Sequence, residues 1–358
     1  MLCQLPAKEV VGESRKRNGH RVYRICDDLA ITETVTAPKD AVTFSSRRIP
    51  LEAFMQTVES GTRIALKNIL FATDFSPCSN AALPYASAVA RRYGATLHAA
   101  YVKPNDADLL FMSPETWPAV MEEEDKRIKL HIEELEKQIQ GLPHEVLTPK
   151  AKVADALARI VEEHEIDLLV LGTHGRSGVG KLFLGSVAEE IFRRSTCPVL
   201  TVGPNVSSKP NNGIQFHNIV FATDFSEDSL VALPYAIFLA EEDQAQLALL
   251  HVIEQPAAGI ADLEEAKESL VRRLRELVPP EAEPWCHAEF LLECGRQFAP
   301  PAEQIVEVAG NHKADLIVLG VRPGHGALGL GTHLASTTAR ILTQAACPVL
   351  TVRGEWAK

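Results

Sequence analysis

The chain has 358 residues, 46% hydrophobic and 23% charged, with a formal net charge of −11, which suits a globular protein with two or three separately cored domains. Diffuse acidity argues against nucleic acid or an anionic membrane as the main partner, because binding there is driven by Lys and Arg. A small anion held by a few backbone amides stays compatible. Seven scattered cysteines without a CxxC pair, no export-like N-terminus and no membrane-length apolar run predict reduced thiols in a soluble cytoplasmic protein.

Residues 1–63 mix basic clusters (SRKR, SRR) with acids and read as an extension of uncertain order. Within it RRIPLEAFMQTVESG has the spacing of one amphipathic helix. From residue 64 onward KNILFAT, TLHAAYV, DLLVLGT and PVLTVG are apolar runs of four to seven residues, the pattern of strands buried on both faces. Between them SNAALPYASAVARRYG, EEEDKRIKLHIEELEKQIQG and VADALARIVEEHE show helical spacing, the second stopping at Gly141. Strand–helix alternation predicts βαβ crossovers around a parallel sheet.

The chain then repeats itself. NILFATDFSPCSNAALPYASAVA (68–90) returns as NIVFATDFSEDSLVALPYAIFLA (218–240), and CPVLTV recurs, with Cys197 and Cys347 150 positions apart. GPNVSSKPNNG joins the copies and lacks an apolar period. The expected organisation is an extension (1–63), a first domain (64–203), a linker (204–213) and a second domain (214–358).

The first copy's distinctive stretch is LGTHGRSGVGKLFLGSVAEEI (171–191). It leaves a strand at its carboxyl end, where ligands of parallel α/β sheets sit. Gly185, Ser186 and Val187 would open the helix GSVAEEIFRRS with unpaired amides, a natural anion site. Arg176 and Lys181 add positive charge, and Thr173, His174 and Ser177 are candidate donors. GRSGVGK matches the first seven positions of a Walker A motif, but Leu182 stands where Ser or Thr must ligand Mg²⁺. A turn with no ligand is the other reading of the glycines.

TDFS after the first strand, Gly172-x2-Gly175-x9-Gly185-Ser186 and the closing CPVLTV together resemble the universal stress protein family, over about residues 66–203 and again 214–353. The resemblance implies two tandem doubly wound α/β domains of the adenine-nucleotide alpha-hydrolase-like kind, each a five-stranded parallel sheet flanked by helices. It further implies ATP, carried with Mg²⁺, over the strand ends of the first domain. Asp74 would contact the adenosine end, Val102 would face the adenine, and Gly172 and Gly175 would shape the ribose and phosphate loop. Gly185, Ser186 and Val187 would hold phosphates, with Thr173, His174 and Arg176 nearby. Asp74 has a second explanation, capping with Ser76 a helix beginning near Ser79.

In the second copy the spacing fails. Pro323 occupies the second motif glycine and Ala335 and Ser336 align with Gly185 and Ser186, although Asp224, Val252, Gly320, Gly324, Gly326, Gly329 and Gly331 remain. Pro323 removes an amide and Ala335 adds a methyl where phosphate must approach, so this pocket reads as having become structural. His325 and His333 lack a carboxylate or cysteine at ligand spacing, and no metal is expected. The twin CPVLTV strands would be exposed edges if unpaired, which predicts an intramolecular pseudo-dimer with Cys197 and Cys347 as small buried hydrophobes. A homodimer of whole chains is compatible with this. No nucleophile elbow, HExxH or Cys/His pair is present, so an enzyme is not expected. The favoured reading is a nucleotide-dependent stress or signalling module with a protein partner of unknown identity. The alternatives are a nucleotide-free structural or chaperone-like module and a slow ATPase, with Ser186 or Ser177 nearest for autophosphorylation.

Overall fold

The computed structural model describes residues 14–17, 20–23, 64–103, 117–173, 186–206, 214–253, 260–294, 300–321 and 337–354. In the N-terminal extension β1 (Ser14–Arg17) and β2 (His20–Tyr23) form an antiparallel hairpin. RRIPLEAFMQTVESG lies outside the described residues.

The first domain runs β3 (Asn68–Ala72), α1 (Pro77–Tyr93), β4 (Thr96–Ala100), α2 (Trp117–Gln138), β5 (His144–Leu147), α3 (Val153–Glu163), β6 (Leu168–Gly172), α4 (Ser186–Arg194) and β7 (Val199–Val202). The second runs β8 (Asn218–Ala222), α5 (Glu227–Leu230), α6 (Leu233–Asp243), β9 (Gln246–Ile253), α7 (Ile260–Glu276), α8 (Glu283–Cys286), β10 (Glu289–Cys294), α9 (Pro301–Asn311), β11 (Leu316–Val321), α10 (Thr337–Gln344) and β12 (Val349–Arg353). The apolar runs become strands because both faces are covered: the three central residues of β3 and all four of β7 are buried. α1 ends where Gly94 turns left-handed at φ 63°.

All ten strands of the two domains lie in one sheet, ordered β10-β9-β8-β11-β12-β7-β6-β3-β4-β5. Pairing is parallel throughout, except at the centre, where β12 meets β7 antiparallel. There Leu350 faces Leu200, Val349 faces Thr201 and Thr351 faces Val199, so each residue pairs with its own repeat equivalent or that residue's symmetric neighbour. The twin CPVLTV strands thus close each other's edges, as expected. Side chains alternate between two cores: Ile69 and Phe71 join the cluster under α1, α2, α6 and α7, while Leu70 joins that under α3, α4, α9 and α10.

The domains are also joined off the sheet. Arg92, closing α1, forms an ion pair with Asp243, closing α6, and donates to the Glu242 carbonyl at 2.8 Å. The Asp243 side chain is 1% exposed and accepts the Phe216 amide at 2.7 Å. The start of the expected linker is packed rather than loose: Asn205 Nδ2 donates to the Thr343 and Gln344 carbonyls at 3.2 Å each. Among the described residues no helix is long and apolar enough to cross a membrane.

Candidate functional site

In the first domain the strand order is β5-β4-β3-β6-β7, so the chain winds outward from β3 in one direction and then returns to β6 on its other side. The crevice beyond the carboxyl ends of β3 and β6 is therefore the switch point of a doubly wound sheet, where such folds bind ligands. TDFS leaves β3 at that point. Gly172 ends β6 there and Thr173 follows it.

The TDFS turn is held by its own side chains. Thr73 Oγ1 accepts the Phe75 amide at 2.9 Å and pairs with Ser79 Oγ at 3.1 Å. Asp74 Oδ1 accepts the Ser76 amide at 3.0 Å, and Ser76 Oγ accepts the Ser79 amide at 3.2 Å. The helix opens at Pro77, two residues before Ser79, and Ser76 is its cap. Asp74 acts one step earlier, closing the turn that presents the cap. Phe75 is forced to φ 61°, a left-handed conformation costly for a bulky residue and typical of sites over-determined by their surroundings. Its ring stacks between Tyr101 (4.9 Å) and His131 (4.8 Å). Nothing in the letters TDFS announces this stack, which is assembled from three elements.

Gly172 has a packing role. A Cβ there would fall 2.5 Å from the Cys78 carbonyl oxygen and 3.0 Å from the Ser79 amide nitrogen. The strand end and the first turn of α1 touch backbone to backbone. Thr173 is 1% exposed and its amide donates to the Val202 carbonyl at 3.2 Å. Val102 stands two residues beyond β4, half-buried against the second core. Ser186 and Val187 open α4, and Val187 is 41% exposed. His174, Gly175, Arg176 and Gly185 lie outside the described residues, as do Ser177, Lys181 and Leu182. The structure thus places Asp74, Gly172 and Thr173 together at the carboxyl ends of β3 and β6, with Thr173 buried.

α4 is anchored to α3 by charge. Lys152 meets Glu190 at 2.7 Å, and Arg194 meets Asp155 at 2.6 Å and Glu190 at 3.1 Å. Hydrogen bonding from Lys152 lowers the Glu190 pKa, and hydrogen bonding from Arg194 lowers that of Asp155. These pairs are exposed and chiefly orient the helix.

The second domain repeats the turn almost bond for bond. Thr223 Oγ1 accepts the Phe225 amide at 2.9 Å, Asp224 Oδ1 accepts the Ser226 amide at 2.9 Å, and Phe225 sits at φ 59°. Gly320 is tighter still, with a Cβ 1.9 Å from the Asp228 carbonyl oxygen. The surroundings differ: Phe225 packs against His251 at 4.7 Å, with the Arg273 guanidinium 4.1 Å above its ring. Pro323, Gly324, Gly326, Gly329, Gly331, His325, His333, Ala335 and Ser336 lie outside the described residues.

The family model described as "Universal stress protein family" matches residues 65–203 and 215–353. A universal stress protein of Mycobacterium tuberculosis is 28% identical over 250 residues, 67% of this chain and 80% of that protein. A universal stress protein A homolog of Coxiella burnetii is 33% identical over 148 residues, covering 38% of this chain and 95% of its own. Among solved structures, a universal stress protein from Archaeoglobus fulgidus aligns over 80% of this chain and 98% of its own, with TM-score 0.58 and 20% identity, a likeness of fold. Two matched repeats and one shared ten-stranded sheet make this chain a tandem member of the universal stress protein family.

Proposed function

We propose that the first domain binds an adenine nucleotide, ATP with Mg²⁺, at the crevice between β3 and β6, and that the chain acts as a nucleotide-dependent stress-response module in the cytoplasm. The observation that carries this reading is the reversal of strand order there. In this reading Asp74, Gly172 and Thr173 stand at the strand ends, and the loop ending in Gly185-Ser186-Val187 would close over the nucleotide there. In the proposed arrangement Asp74 and Val102 serve the nucleoside. Gly175, His174 and Arg176 line the phosphate path, and the amides of Gly185, Ser186 and Val187 hold phosphate at the α4 start. The sequence marks no dedicated Mg²⁺ ligand and no catalytic base in this set, so we favour a binding module over a fast phosphoryl-transfer enzyme. The second domain, with Pro323 and Ala335, serves as a structural partner.

One observation favours the nucleotide-free alternative: the bonds of the TDFS turn recur at Asp224, so Asp74 has structural work to do without any ligand. Calorimetric titration of nucleotide-stripped, full-length protein with Mg-ATP separates the readings. One site per chain is expected, abolished by Gly185→Val. Two sites would overturn the assignment of the second pocket. No binding at millimolar ATP would leave the structural module.

A further inference from the structure

Away from that crevice, three side chains far apart in sequence converge on the outer part of the first domain's sheet. His98 is the third residue of β4, Glu145 lies beside it in register on β5, and His164 caps the end of α3. Glu145 Oε2 is 3.3 Å from His98 Nδ1 and 3.6 Å from His164 Nδ1. The two imidazoles lie 4.6 Å apart, tilted by 56°. One ligand atom from each of the three falls within 4.8 Å of the others. Spacing along the chain hides this set, since no two members share an element, which is why no metal was expected from the sequence.

His98 is the unusual member. It is 6% exposed, and among the described residues neither ring nitrogen makes a hydrogen bond, although Glu145 Oε2 lies 3.3 Å from Nδ1. An imidazole buried in this way costs stability unless something satisfies it. The fold does not require it: the second domain has Ala248 at the same register, opposite Glu289, with His312 Nδ1 3.8 Å from Glu289 Oε2. That domain keeps the carboxylate and the capping histidine without the buried ring. There Glu289 accepts instead from Gln246 Nε2 at 3.1 Å.

We propose that His98, Glu145 and His164 form a binding site for a divalent ion of the zinc type, in the first domain alone. Two imidazoles and a carboxylate are the donor set of three-ligand zinc sites, which keep a further position open. Bond lengths of about 2.0–2.2 Å put neighbouring tetrahedral ligands roughly 3.3 Å apart, close to the separations found at Glu145. The open side is outward, since Glu145 is 50% and His164 26% exposed. Burial first, and then the neighbouring His164, hold the His98 pKa below its ordinary value against the pull of Glu145. A bound ion would tie edge strand β5 and the end of α3 to β4, and involves no change of oxidation state.

The test uses the full chain, stripped with a chelator and titrated with zinc chloride by calorimetry, with melting temperature as a second readout. Zinc is expected to bind the parent and raise its melting temperature. His98→Ala, which copies Ala248, should remove one zinc equivalent or weaken it at least about ten-fold, and should abolish the thermal shift. His164→Gln, at a more exposed position, should do the same if His98→Ala folds poorly. Zinc binding of unchanged stoichiometry and affinity in both variants would overturn the proposal, as would a parent that takes up no zinc.

Discussion

Gly172→Ala distinguishes a glycine kept for a ligand from one kept for packing. Its Cβ would sit 2.5 Å from the Cys78 carbonyl oxygen and 2.8 Å from the carbonyl carbon. An acceptable carbon–oxygen contact is about 3.3 Å, so the first turn of α1 must retreat by roughly 0.8 Å. That turn is tied to β3 by the Thr73–Ser79 hydroxyl pair at 3.1 Å and capped by Ser76. Retreat therefore adds the loss of about one hydrogen bond, ~1 kcal/mol, to an overpacking cost of about 1–3 kcal/mol. The expected destabilisation is about 2–4 kcal/mol, or a fall of about 1 M in urea midpoint for the first domain's transition. Gly320→Ala, with contacts of 1.9 Å and 2.5 Å to backbone, should cost more in the second domain. Gly310→Ala, inside α9 with none of the described residues within 4 Å of the added Cβ, should stabilise by up to about 1 kcal/mol. Urea unfolding followed by far-UV circular dichroism, fitted with one transition per domain, checks all three. A Gly172→Ala protein that unfolds at the parental midpoint yet binds no nucleotide would refute the packing argument.

Arg92→Ala leaves the Asp243 carboxylate, 1% exposed, without its cation, and should cost about 3 kcal/mol. Arg92→Ala/Asp243→Asn should recover a good part of that in the same urea assay, and no recovery would mean the pair contributes only packing. Burial, reinforced by Asp315, pushes the Cys347 thiol from the ordinary 9.0 up to about 12. The folded value is raised, so this contribution to stability is whole below pH 9 and is lost as pH climbs toward 12, at up to about 1.4 kcal/mol per pH unit. The stability gap between the parent and Cys347→Ala should shrink over that window, and a constant gap would contradict it. Asp74→Asn keeps an oxygen to accept the Ser76 amide, so stability should fall by less than about 1 kcal/mol while ATP affinity in calorimetry drops at least about ten-fold. Unchanged affinity would remove Asp74 from the nucleotide site.

What the sequence makes legible follows burial. β3, β4, β6 and β7 stand out as apolar runs because each is covered on both faces. β5 escapes notice because it is an edge strand, and His144 and Glu145 in it are exposed. α2 begins at Trp117, five residues before the charged stretch that suggests it, because its opening residues carry no regular alternation of charge. At the candidate site the glycine motif correctly marks a strand end, but the reason for Gly172 lies in the Cys78 carbonyl, which no local pattern reveals. Phe75 at φ 61° is equally silent, since left-handed backbone is ordinarily signalled by Gly, Asn or Asp. The His98–Glu145–His164 cluster depends on register between β4 and β5, which only the folded sheet supplies.

The repeat provides an internal control for assigning function. Asp167 accepts the Lys67 and Asn68 amides at 2.7 Å and 2.9 Å, and Asp315 accepts those of His217 and Asn218 at 2.7 Å and 3.1 Å. The TDFS bonds and the β7–β12 register are likewise shared or symmetric. Features kept in both domains, including Asp74 with Asp224 and Gly172 with Gly320, are accounted for by turn geometry and close packing. Differences carry the evidence for chemistry particular to one domain. Tyr101 and His131 flank Phe75 where His251 and Arg273 flank Phe225, and the intact glycine spacing stands against Pro323 and Ala335. His98, buried where Ala248 suffices, is the third difference. All three set the first domain apart. A chain that retained symmetry only for folding would have no reason to keep a stacked aromatic pair, a complete glycine motif and an unsatisfied histidine together in one half.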